Sequence, residues 1–117
     1  MTPFGARLRE IREARGMTLK SMAAAIGVSP AYLSALEHGR RGRPTWDLLQ
    51  RIIGHLNIIW DEAEELERLA DLSHPRIVID TEGLTPKATE LANRLAERIG
   101  SLDEARLGQL IDLIDRR

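Results

Sequence analysis

The stretch Thr18 to Gly39, TLKSMAAAIGVSPAYLSALEHG, decides the fold of this chain. Thr18 and Ser29 each stand just before an apolar-periodic run and offer the short hydroxyl that caps a helix start. Pro30 follows Ser29 at the first helical position, where a missing N–H goes unnoticed. Gly27 lies between the two runs, where a turn favours positive φ, and Gly39 closes the second. Leu19, Met22, Ala23 and Ile26 recur at helical spacing in the first run, and Leu33 with Leu36 in the second, so these side chains face one another. Ala23 and Ala24 are small, as a close helix crossing requires. Pro30, Ala31, Tyr32, Ser34 and Ala35 are left for the outer face.

Two short helices joined in this way have the layout of a helix-turn-helix, whose second helix is shaped to enter the major groove of DNA. The loop that follows, Gly39-Arg-Arg-Gly-Arg-Pro44, carries Arg40, Arg41 and Arg43. Arginine is planar, permanently charged and able to bind two phosphate oxygens, which suits a loop lying along a nucleic-acid backbone. The net charge of −1 hides an asymmetry. Residues 1–60 hold nine basic against four acidic side chains, an excess of five positive, whereas residues 61–117 hold eight against fourteen, an excess of six negative. A basic half joined to an acidic half is expected where only one part meets phosphates.

Outward from the central stretch, the pattern predicts an all-α chain whose first 72 residues hold five helices. A first helix runs from about Pro3 to Arg15, capped by Thr2 and stopped by Gly16, with the stripe Phe4, Leu8, Ile11 and Ala14. A fourth starts after Thr45, has Asp47 in its first turn, and presents Leu48, Leu49, Ile52, Ile53 and Leu56. A fifth, near Ile59 to Leu72, stacks Ile59, Ala63, Leu66 and Ala70, and pairs Glu64 with Arg68 at i,i+4 on its other side. Ser73-His74-Pro75 ends it. Residues 73–84 read as an extended linker or short strand. Arg76 to Asp80, RIVID, either pairs with the same segment of a second chain or packs on the core. Residues 85–117 read as a helical hairpin: Thr85-Pro86 opens one helix, Gly100 closes it, and Ser101 to Glu104 forms a capping box for the next. Its stripes include Leu91, Leu95, Leu107, Leu110, Ile111 and Ile114; with Ile77 and Ile79 they are the expected dimer interface.

Over about residues 4–58, half the chain, it resembles the Cro and phage-repressor class of bacterial regulators, the xenobiotic-response-element type. The likeness is carried by LREIREARGMTLKSMAAAIGVSPAYLSALEHGRRGRP and the following WDLLQRIIGHL. It implies a five-helix DNA-binding domain, usually dimeric on a palindromic double-stranded operator, with the third helix, here residues 29–38, reading base edges. By that likeness Pro30, Ala31, Tyr32, Ser34 and Ala35 make the base contacts. Thr18, Leu19, Lys20, Ser29, Arg12 and the arginines of residues 39–44 meet the backbone. Arg12 and Glu37 occupy the places of an arginine–glutamate pair behind the recognition helix, with Gly27 and Gly39 as structural supports. The chain departs from better-known members in lacking a bidentate Asn, Gln or Arg on this helix. Readout then leans on thymine-methyl contacts of Ala31 or Ala35, on Ser34 and Tyr32, and on DNA shape.

Other chemistry has little footing. There is no cysteine, the histidines His38, His55 and His74 are scattered, and no HExxH, phosphate loop or nucleophile elbow is written, so neither an enzyme nor a metal or cofactor site is expected. The acids between Asp61 and Asp71 space as a solvated helix face, and Trp46 and Trp60 as core or interface aromatics. No apolar run reaches the ~20 residues of a membrane span, and no signal-peptide core is written, so a cytoplasmic, nucleoid-associated bacterial protein is expected. The favoured reading is a dimeric transcriptional regulator, most simply a repressor. The alternatives are an antitoxin whose acidic C-terminal half binds a toxin, and a protein-interaction module that has lost DNA binding.

Overall fold

The computed structural model describes residues 1–116, and all regular structure among them is helical. Helices begin where capping side chains are written. Helix α1 (Pro3–Ala14) is capped by Thr2, α2 (Leu19–Ile26) by Thr18, α3 (Pro30–Glu37) by Ser29 and α4 (Trp46–His55) by Thr45. Each of these hydroxyls accepts a backbone N–H of the first turn. Helix α5 (Trp60–Asp71) follows a tight turn. After it come α6 (Pro86–Arg98), a 3₁₀ turn at Ile99–Ser101 and α7 (Glu104–Asp115).

The chain divides into two compact units, Met1–Ile77 and a second that begins at Val78. In the first, α2 packs on α3 and α4, and α1 packs on α3 and α5. One apolar core joins them, built from Phe4, Leu8, Met22, Ile26, Leu33, Leu36, Leu49, Ile52 and Leu66 among others. Close packing of α1 on α3 rests on Gly5: a Cβ there would sit 2.4 Å from the Leu36 carbonyl oxygen. The start of α1 is closed from the far end of the unit, because buried Ser73 accepts the Phe4 N–H at 3.0 Å and donates to the Leu69 carbonyl at 2.6 Å.

Several expectations need correcting. Ala14 is exposed, because α1 ends there and Arg15 is already its C-cap. Ile59 is exposed and Ile58 enters the core in its place, since Asn57 turns the chain with φ 51°. Trp46 and Trp60 are 65% and 82% exposed and are not core residues; Trp60 also carries φ 54°, a backbone region bulky side chains rarely adopt. Arg68 makes no ion pair with Glu64 among the described residues; α5 is tied instead to Arg7 of α1, through Glu65 at 3.3 Å and Glu62 at 3.6 Å.

The segment 76–80 forms no strand, and Ile77, Val78 and Ile79 are exposed, so it does not pack on a core. In the second unit Asp103, not Ser101, caps α7, accepting the Arg106 N–H at 2.8 Å. Ser101 lies in the 3₁₀ turn and donates to the Arg98 carbonyl. Neither α6 nor α7 buries a residue, and Leu91, Ile111 and Ile114 lie exposed, with Leu95, Leu107 and Leu110 half-buried.

Candidate nucleic-acid interface

Helix α3 has two unlike faces. Its inner face, Leu33, Leu36 and Glu37, is buried. On the other side Pro30 and Ala31 are exposed, and Tyr32, Ser34 and Ala35 are half-buried. The turn that presents α3 is built as the sequence predicts: Gly27 has φ 78°, and the Val28 N–H returns to the Ala23 carbonyl at 3.0 Å. Arg51, reaching from α4, donates to the Ile26 carbonyl at 3.1 Å and braces the same turn. A Cβ at position 27 would stand 3.0 Å from that guanidinium, which would have to give way, and the positive φ favours glycine there.

Glu37 is the one charged side chain sealed into the first unit's core, at 1% exposure. Arg12 meets it bidentately, Nε to Oε2 at 2.8 Å and Nη2 to Oε1 at 3.1 Å, while Nη1 donates to the Met17 carbonyl at 3.0 Å. The hydrogen bond to Glu37 raises the Arg12 pKa above its ordinary value, with burial working against it. Arg12 is therefore committed inward on all three nitrogens, fixing α1 and the segment before α2 against the back of α3.

Helix α3 closes through Gly39 at φ 78°, with the Arg40 N–H reaching the Ala35 carbonyl at 2.9 Å. The arginines beyond it have different fates. Arg40 and Arg41 are exposed and take part in no ion pair among the described residues. Arg41 lies over the Tyr32 ring, 5.5 Å from its centroid, a cation–π arrangement that links the loop to the outer face of α3. Arg43 instead donates through Nε and Nη2 to Asp71, at 3.1 and 2.8 Å. Thr18 caps α2, Leu19 is half-buried and Lys20 is exposed, so this helix start offers backbone N–H groups and one ammonium.

The parts that sequence reasoning missed lie far apart in the chain. Gly5, Arg51, Asp71 and Ser73 act through contacts across helices, and only Gly5, a glycine inside a helical run, carried a warning that something approaches closely. No cluster of metal-ligating side chains occurs among the described residues, and no helix there is long and apolar enough to cross a membrane.

The sequence profile of the helix-turn-helix domain family matches residues 3–74. The uncharacterized HTH-type transcriptional regulator RghRB of Bacillus subtilis is 36% identical over 61 residues, 52% of this chain and 44% of that protein. The HTH-type transcriptional repressor RghR of the same organism is 36% identical over 61 residues, 52% of this chain and 45% of its own length. The HTH-type transcriptional regulator DdrOP3 of Deinococcus deserti is 41% identical over 66 residues, 56% of this chain and 50% of its own. This chain spans about half the length of each of these relatives. With the helix pair, its glycine turn and the profile match in agreement, the chain belongs to the helix-turn-helix domain family, in the Cro and phage-repressor class.

Proposed function

We propose that the chain is a dimeric, DNA-binding transcriptional repressor that sets α3 in the major groove and the 39–44 loop on the phosphate backbone. The observation that carries this reading is the outer face of α3. Small or half-exposed side chains from Pro30 to Ala35 lie beside two arginines with no ion-pair partner among the described residues, while the inner face is sealed by Leu33, Leu36 and the Arg12–Glu37 pair. Small side chains let a helix approach base edges closely, with Ser34 as the hydrogen-bonding group and Ala31 and Ala35 as partners for thymine methyls. Affinity then comes mainly from Arg40, Arg41, Lys20 and the N-terminus of α2, and Arg12 serves the site from behind. Arg43, held by Asp71, contributes less than its neighbours. The relative named a transcriptional repressor is consistent with this sign of regulation.

The test is a salt titration of binding to duplex DNA selected from a random pool. Replacing Arg40 and Arg41 by alanine is expected to weaken binding on all sequences and to lower the salt slope by about two phosphates' worth, and Arg43→Ala by less than one. An unchanged slope in the double variant takes the loop off the DNA.

A further inference from the structure

We propose that the turn Ser73-His74-Pro75, which closes the first unit, is a positioning element for the arginine loop and thereby for DNA contact. It rests on the reading of Arg40 and Arg41 as phosphate contacts.

The loop is held at several points. At its start Gly39 abuts the chain's own beginning: a Cβ there would lie 2.7 Å from the Met1 Cα. At its end Pro44 is fully buried. Between them Gly42 lies against the 73–75 turn, and a Cβ on it would stand 2.7 Å from the Pro75 Cδ and 3.3 Å from the Ser73 carbonyl oxygen. Gly42 does not have positive φ, so glycine is needed here for space and not for backbone freedom. Arg43 reaches the same region through Asp71, two residues before Ser73. Ser73 cannot drift, because its hydroxyl is engaged on both sides, by the Phe4 N–H and the Leu69 carbonyl. The turn is a fixed seat, and the short bow it supports carries Arg40 and Arg41. A phosphate contact needs its guanidinium placed to within hydrogen-bond tolerance, so a loop lifted off this seat loses affinity without any loss of charge.

A double-mutant cycle tests this, using the full chain, a random-sequence fluorescent duplex and low salt. Gly42→Ala is expected to weaken duplex binding about fivefold and lower its salt slope, with helicity unchanged. Pro75→Ala removes the ring that the new methyl would strike, and alone costs about twofold. Independent effects would multiply to about tenfold, whereas a shared contact leaves the double variant within about twofold of wild type. A double variant as weak as that product, or a Gly42→Ala protein that binds like wild type while Arg40→Ala/Arg41→Ala loses affinity, overturns the seat but leaves the DNA reading standing. If Arg40→Ala/Arg41→Ala itself binds unchanged, the DNA reading fails and the inference with it. Should Gly42→Ala not fold, Pro75→Ala decides alone. Faster hydrogen exchange at Gly42 and Arg43 with weakened duplex binding supports the seat, and unchanged exchange overturns it.

Discussion

Glu37 is a carboxylate in an apolar core, and its side chain is stable there only because Arg12 answers both oxygens. Removing one partner of such a pair costs far more than the pair contributes, since the other is left desolvated and unmatched. Glu37→Ala is expected to lower unfolding free energy in urea by about 2–3 kcal/mol, because Arg12 retains some solvent and the Met17 carbonyl. A loss below about 0.5 kcal/mol, the size of an ordinary surface change, would show that the pair does not brace α3. This pairing was open to sequence reasoning through the family likeness. The Arg43–Asp71 pair was not, because nothing local in either segment marks two residues that meet only once the whole unit has folded.

At the scale of the helices, what the sequence displays best is where each begins. Thr2, Thr18, Ser29, Thr45 and Thr85 all cap as written, since the interaction spans only a few residues. It misleads at α7, where two capping residues stand two positions apart and Asp103 takes the place assigned to Ser101. It also misleads at α5, where Asn57 displaces the apolar register by one residue and Ile58, not Ile59, turns inward. Packing distances are less legible still, and two helical glycines show why they matter. Gly5 and Gly54 both favour alanine by about 1 kcal/mol in propensity. Gly54 has nothing within 4 Å of a built Cβ, whereas at Gly5 that atom would be forced onto backbone carbonyls at 2.4 and 2.8 Å. Gly54→Ala is therefore expected to raise the thermal midpoint and Gly5→Ala to lower it, the latter costing about 2 kcal/mol or more of unfolding free energy once the clash outweighs propensity. Equal behaviour of the two variants in a melt would mean that α1 does not approach α3 this closely.

For the molecule as a whole, the two units differ in how much they bury. The first closes a core of fifteen buried apolar residues. Among its described residues the second has none, although α6 and α7 carry apolar stripes. Apolar stripes that bury nothing of their own among the described residues are left open to a partner. Self-association through these stripes fits the proposed dimer, and loss of the residues beyond Ile77 is expected to shift sedimentation toward monomer and weaken binding to a two-half-site operator more than to one half-site. A shortened chain that still sediments as a dimer would place the interface in the first unit, where Trp46 and Trp60 are the exposed aromatics.

The contact between Gly39 and Met1 has a practical consequence. The amino terminus lies against the start of the loop proposed to touch phosphates, so any peptide fused ahead of Met1 emerges beside that loop. A cationic affinity tag there would add its own attraction for DNA, and a bulky fusion partner would stand in the way of the duplex. Both would disguise the protein's own binding behaviour.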